Sequence, residues 1–275
     1  MQQTNWLVNG EFTTLDPADR GLAYGDGLFE TMTARNGSLP WLAYHLDRLA
    51  AGCQTLGIPA PPQRLLREEI SRIVPERGSW VVKLIVTRGG GARGYRPPPV
   101  PKPTRLLSVS HWPDYPAEHY TAGICLKTCR IRLGENPVLA GLKHLNRLEQ
   151  VLAQMELSSD STVQEGLMLD GRGLVAGGTF SNVFAVRAGA LSTPRIERCG
   201  VRGVMRKLVL ESCAAMGLAA QETDMDLSAC YDADELFVTN AVFGIWPVRR
   251  LDAKRFEVGD TTRQLQVKLG YACNA

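Results

Sequence analysis

No apolar run in the 275 residues approaches the roughly 20 that a membrane-crossing helix needs. Residues 1–9 hold no basic stretch followed by an apolar one, so no secretion signal is expected. Charge of one sign is scarce too. Lysine plus arginine exceed aspartate plus glutamate by only 3, which sets up no field for nucleic acid, although a local basic patch could serve an anionic substrate. Metal ligands are few and scattered. The four histidines supply no set to join the seven cysteines, and Cys125 and Cys129 would face one side of a strand as a packed pair, so no metal is expected. Reduced thiols without a leader point to the cytoplasm. There is no internal repeat, no G-x-G-x-x-G between a strand and a helix, and no P-loop, which removes the commonest glycine-rich phosphate devices.

What is present is ordinary globular composition, enough for one large or two moderate domains. Trp6 to Val8 reads as a strand before an Asn9-Gly10 turn, and Phe29 to Arg35 precedes a second turn signal at Asn36-Gly37, the pattern of a hairpin. Leu42, Leu46, Leu49, Cys53 and Leu56 recur at helical spacing and Gly57 stops the helix. A second helix covers Gln63 to Val74. Trp80 to Val86 and Leu106 to Val109 read as strands. Between them lies the glycine-rich run Arg88 to Tyr95 with a proline-rich tail. The expected organisation is an N-terminal domain over 1–110, a linker over 111–118 and a C-terminal domain over 119–275. In the second half, helices are expected at Leu145 to Leu157, Gly203 to Met216 and Thr261 to Leu269. Strands are expected at Ile124 to Thr128, Leu167 to Leu169, Leu174 to Ala176, Val183 to Val186 and Glu235 to Thr239. Mixed elements without regular alternation predict an α+β fold.

Lys143 sits in an apolar stretch just after Gly141. Most lysines are solvated, and an exposed lysine at a helix start is the plain alternative. A lysine in an apolar pocket loses hydration of its ammonium, its pKa falls, and the neutral amine can attack an aldehyde. Val201 to Arg206 opens a helix after a loop. Free amides at such a start form an anion site, and Gly203 permits close approach; an ordinary helix start is the alternative. Val238 to Ala241 ends a strand, where the Asn240 side chain and nearby amides could donate to phosphate. Arg48 could grip phosphate through its planar fork, or simply pair with Asp47 or Glu30.

These elements occur in an order that resembles the fold-type IV pyridoxal phosphate enzymes, the class IV aminotransferase-like family. The likeness runs through Asp19 to Glu30, His45 to Leu49, Thr179 to Phe184, Leu191 to Thr193 and Val201 to Arg206. It implies two α/β domains with the active site at their interface, a homodimer, and pyridoxal 5'-phosphate on Lys143 as a Schiff base. It places Arg48, Val204, Met205, Asn240 and Ala241 on cofactor-binding positions, to which the reading of the helix start adds Gly203. Two segments, Arg88 to Tyr95 and Arg132 to Gln150, look like the aminodeoxychorismate lyases of that family. That branch implies elimination of pyruvate from the small molecule 4-amino-4-deoxychorismate, giving 4-aminobenzoate for folate synthesis, with Arg93 and Asn136 as substrate-binding candidates. No nucleic acid or membrane partner is implied.

One position departs from the family pattern. The family places a glutamate five residues before the asparagine of the T-x-S-N run, where it pairs with the pyridine nitrogen. Here that position is Gly177. Either another acid such as Glu165 or Asp170 reaches the ring, or a water or backbone group does, or the chain is weakened or altered. Two other readings stay open: a D-amino-acid or branched-chain aminotransferase of the same fold, and a degenerate, non-catalytic member.

Overall fold

The computed structural model describes residues 6–91 and 93–271. They fall into two compact units, one of residues up to Pro113 plus Leu142–Asn146, the other of Asp114–Gly141 and residues from Arg147 onward. The short inserted stretch matters most, because it carries Lys143.

The first unit is built on a five-stranded antiparallel sheet. Its elements are β1 (Leu7–Val8), β2 (Glu11–Phe12), α1 (Arg20–Tyr24), β3 (Gly27–Arg35), α2 (Leu42–Leu56), α3 (Gln63–Ile73), β4 (Ser79–Thr87) and β5 (Thr104–His111), with strand order β2-β1-β5-β4-β3. Asn9 and Gly10 both take positive φ and close the β1–β2 turn, as the sequence suggests. The second turn signal behaves differently. Asn36 and Gly37 do turn the chain, but only Arg35 and Ser38 bridge across them before the chain leads into α2. β3 instead pairs with β4 along its whole length. Alternation puts Leu28, Met32 and Ala34 of β3 into a core with Leu46, Leu49 and Cys53 of α2 and Leu66 and Ile70 of α3. The helical spacing read from α2 is the face that packs there.

The order of the sheet leaves β3 at its edge. That edge is filled by residues 142–146 in extended form: Phe29 N–H donates to the Lys143 carbonyl at 2.9 Å and Leu145 N–H to the Gly27 carbonyl at 3.0 Å. The expected helix from Leu145 therefore begins later, at Leu148, and Lys143 lies in a strand-like segment of the first unit rather than at a helix start in the C-terminal domain. The Lys143 carbonyl and the Leu145 amide are spent on β3 and so are not available to a helical ladder.

The second unit holds α4 (Glu118–Thr121), β6 (Ile124–Leu133), α5 (Leu148–Leu157), β7 (Glu165–Asp170), β8 (Val175–Gly178), β9 (Asn182–Arg187), β10 (Ala190–Pro194), α6 (Val204–Met216), β11 (Ala220–Thr223), α7 (Leu227–Tyr231), β12 (Glu235–Asn240), β13 (Gly244–Leu251), β14 (Lys254–Arg255) and α8 (Asp260–Lys268). Its mixed sheet runs β11-β10-β9-β12-β13-β6-β7-β8, with β14 on β13. Parallel pairing of β13 with β6 and of β6 with β7 buries all six residues of β7. β13 is absent from the sequence reading because Pro247 lies in its middle, where proline normally argues against a strand. The fold is α+β, as expected.

Candidate active site

In the first unit, Lys143 lies beside β3 with its Nζ 4.2 Å from the centre of the Phe29 ring. The ring face attracts a cation and lends the amine an apolar wall. The neighbouring residue on β3, Glu30, points the other way. It is 1% exposed, on the core side of the strand between Leu28 and Met32. Its carboxylate takes a 2.6 Å hydrogen bond with His45 Nδ1 and is gripped by Arg48, whose Nε donates to Oε1 at 2.8 Å and whose Nη2 donates to Oε2. His45 and Arg48 are three residues apart on α2, so one helix face presents both. Burial pushes the Glu30 carboxyl up, but Arg48 and His45 outweigh it and hold the pKa at about 2. Burial pulls the His45 pKa down, and the Arg48 and Lys143 cations add to that; Glu30 pulls the other way without restoring it. His45 is therefore a neutral donor through Nδ1. The Arg48–Glu30 pairing is the one that the sequence reading weighed against phosphate binding, and the structure contains it.

The charges of the Asp19 to Glu30 motif have separate tasks. Asp19 caps α1 and accepts from Thr87 and Thr104 hydroxyls. Asp26 takes a bidentate clamp from Arg88 and a further bond from Arg20; its pKa falls because these guanidinium partners exceed the opposing effect of burial. Arg88 also caps α2 through the Leu56 and Gly57 carbonyls. Arg20 is buried and donates to the carbonyls of Gly94 and Tyr95, each at 2.9 Å. It thereby pins the glycine-rich loop that exposes Arg93.

In the second unit, Gly203 is the N-cap of α6 and has no side-chain cap. A Cβ on Gly203 would stand 2.0 Å from Asn182 Oδ1, so only glycine fits at this helix start. Asn182 holds the preceding loop by donating to the Val201 carbonyl at 2.9 Å. The first-turn amides at Val204 and Met205 have no partner within their own helix. Thr239, next to Asn240 on β12, is 1% exposed and its hydroxyl has no protein partner. An orphaned buried hydroxyl and the free amides of a helix start suit a phosphate ester. The Asn240 side chain is engaged locally: its Oδ1 accepts from Val242 and Phe243 amides and its Nδ2 donates to the Phe180 carbonyl. Its side chain builds the 240–243 turn that contains Ala241. Asn136 is exposed and likewise shapes a turn, accepting from Val138 N–H.

Gly177 lies on β8 with φ +146°, a conformation that favours glycine. The acids suggested as substitutes are committed elsewhere. Glu165 is fully buried and accepts from five donors, Gly166 N, Thr179 N, Thr179 Oγ1, Phe180 N and Ser181 Oγ. Desolvation raises its pKa despite those bonds. Asp170 accepts from Arg172 and Leu174 amides and from the Arg172 guanidinium. Each carboxylate organises its own loop, so neither has the freedom that a ring partner needs. Thr239, His45 and Asn182 enter the sequence reading only as members of the Val238 to Ala241, His45 to Leu49 and Thr179 to Phe184 segments, without a role of their own. Glu30 and Glu165 enter it as a candidate partner of Arg48 and a candidate substitute for the acid absent at Gly177.

The sequence model for class IV amino-transferases matches residues 27–251. The chain belongs to the class IV aminotransferase family. Among solved structures, 4-amino-4-deoxychorismate lyase from Pseudomonas aeruginosa is 48% identical, with a TM-score of 0.91 over 96% of this chain and 97% of that one. An aminodeoxychorismate lyase of Vibrio harveyi is 35% identical over 95% of this chain and 98% of its own length. A D-alanine aminotransferase of Bacillus licheniformis is 26% identical over 96% and 93% respectively. Class IV membership thus fits the order of motifs from Asp19 to Ala241.

Two predictions follow from this geometry. The depressed Glu30 pKa stabilises the fold fully above the unfolded value of 4.5, and that stability is lost as pH falls toward the folded value. Urea unfolding should show about 2 kcal/mol lost through this group between about pH 7 and pH 3, and Glu30→Gln should flatten that part of the profile. Gly177→Glu and Gly177→Ala should each cost about 1–3 kcal/mol of stability, because both force a side chain into positive φ beside the Ser181 carbonyl. Unchanged denaturation midpoints would show that the loop accepts a side chain.

Proposed function

We propose that this chain is a 4-amino-4-deoxychorismate lyase that uses pyridoxal 5'-phosphate, releases pyruvate and supplies 4-aminobenzoate for folate synthesis. The observation that carries this reading is the full-length likeness to the Pseudomonas lyase, supported by an amine at Lys143 set against an apolar ring. Lys143 would hold the cofactor's aldehyde carbon. Arg48 and the start of α6, with Gly203, Val204 and Met205, would hold its phosphate, together with the Thr239 hydroxyl and the turn of Asn240 and Ala241. When bound, the cofactor supplies an electron-withdrawing ring that acidifies the substrate carbon next to nitrogen.

The residues of the chain then have defined work. With the substrate in place, the Lys143 amine would remove the ring proton at that carbon. The carbon–oxygen bond to the enolpyruvyl group breaks, and the ring becomes aromatic. Lys143 returns the proton to the departing methylene carbon, which makes pyruvate. Base and acid are the same amine, so no further proton carrier is required. Arg93, exposed on the loop pinned by Arg20, is assigned to a substrate carboxylate, and Asn136 to the substrate's polar edge. Aromatisation favours the elimination, whereas transamination leans on a protonated pyridine ring, and Gly177 offers no carboxylate for it. Gly177 therefore weighs for the lyase over an aminotransferase.

We also assign a homodimer to the cytoplasm. α5 turns Leu148, Val151, Leu152 and Met155 outward at helical spacing, Leu148 being 76% and Met155 64% exposed. An apolar stripe of this kind marks an association face, and its acidic neighbours are already spent: Glu149 accepts from Gly134 N–H and Glu156 from Arg130 and Ile131 N–H. No helix of the described residues is long and apolar enough to cross a membrane.

Lys143→Ala should lose the visible absorbance of bound cofactor and at least about 10³-fold of turnover in a coupled pyruvate assay without any amino donor. Retention of both would refute the assignment, and pyruvate formed only with a donor–acceptor pair would make the chain an aminotransferase. Leu152→Glu should convert a dimer to monomer in sedimentation velocity, and an intact dimer would place the contact elsewhere.

A further inference from the structure

Glu30 is an unusual residue for its place. It stands on the core face of β3, in line with Leu28 and Met32, and solvent barely reaches it. Taking a carboxylate out of water costs several kcal/mol unless its partners are well placed. An apolar residue would pack β3 against α2 at lower cost. The partners show what the charge achieves. The Nε and Nη2 edge of Arg48 lies on both carboxylate oxygens, which fixes the plane of the guanidinium as well as its position. His45 Nδ1 bonds Oε2 at 2.6 Å, the same oxygen that accepts from Arg48 Nη2, so the Glu30 carboxylate is itself fixed in place. The burial is asymmetric. Glu30 and His45 are closed off at 1% and 2% side-chain exposure, while Arg48 keeps 16%. The cation is therefore the outermost member of the triad, and the two buried members brace it from behind.

We propose that Glu30 and His45 are positioning residues for Arg48, holding its guanidinium oriented to receive the phosphate ester of the bound cofactor. This rests on the assignment of Arg48 to that phosphate. The chemistry argues for orientation over charge. One carboxylate against one guanidinium is neutral, so the pair adds no net attraction for an anion. What it adds is a fork that loses no rotational freedom when phosphate arrives.

The test compares two ligands that differ only in the phosphate. Dissociation constants for pyridoxal 5'-phosphate and for pyridoxal are measured by absorbance and fluorescence titration on wild-type, Glu30→Gln, His45→Gln and Arg48→Lys proteins, with melting temperatures of the ligand-free forms. Glu30→Gln should weaken the phosphorylated ligand roughly tenfold or more and pyridoxal less than about twofold. Glu30→Gln combined with Arg48→Lys should lose little beyond Arg48→Lys alone, because both changes remove the same oriented fork. Equal weakening of both ligands would mean that Glu30 only supports the fold, and would overturn the proposal; so would unchanged affinity for the phosphorylated ligand. Should Glu30→Gln fail to fold, Glu30→Asp keeps the charge but withdraws it by one methylene, and must show the same phosphate-selective loss. Wild-type protein that binds neither ligand would instead refute the cofactor assignment itself, which separates the two failures.

Discussion

The pairing of residues 142–146 with the free edge of β3 is the constraint on which the site depends. A lysine side chain has four rotatable bonds, and its amine would wander if its backbone did. Here the backbone is held from Phe29 N–H to the Lys143 carbonyl and from Leu145 N–H to the Gly27 carbonyl. Because β3 alternates its side chains, this one pairing has two consequences. Phe29 becomes the wall against which the Lys143 amine rests, and Glu30, one residue on, is directed to the opposite face, where it meets α2. Closing the edge also removes a row of unpaired backbone groups that would otherwise invite association. Stability of the sheet and placement of the amine are therefore one interaction.

Buried acids serve as fixed points in both units, by different means. Glu30 stays charged because a guanidinium and a neutral imidazole meet it. Glu165 has no cation among its hydrogen-bond partners and is held by amides and hydroxyls of the 178–182 turn instead, and burial accordingly shifts its pKa upward. The difference fits their settings. The first steadies a cation; the second steadies a loop. Gly178 shows how tightly the second is built, since a Cβ there would fall 2.1 Å from Ser181 Oγ and 2.8 Å from Glu165 Oε2.

Much of this was legible in the sequence where periodicity or a strong breaker spoke. The α2 face, its stop at Gly57, the β1–β2 turn and the start of α6 after Gly203 follow from local rules, and the structure has them. Tertiary pairing decided the rest. Leu145 to Arg147 have helical neighbours on one side, but β3 claims their segment first, so α5 starts at Leu148. Asn240 looks like a donor at a strand end, yet an asparagine two residues before free amides prefers to close its own turn. Thr239 gave no signal at all: a threonine in a strand reads as β-propensity, and only its lack of a partner at 1% exposure marks it.

Gly177 bears on the chemistry through the backbone as much as through the missing carboxylate. At φ +146° the position has a shape that a glutamate would hold only under strain. The nearby acids do not compensate, since Glu165 and Asp170 each close a loop of their own. On the proposed assignment, a cofactor ring beside Gly177 would receive less help as an electron sink. A reaction that must store a carbanion on the ring, as amino-group transfer does, would suffer most from that. An elimination that ends in an aromatic product draws its driving force from the substrate and suffers least. On the proposed function, the glycine at positive φ and the committed Glu165 weigh for elimination over amino-group transfer.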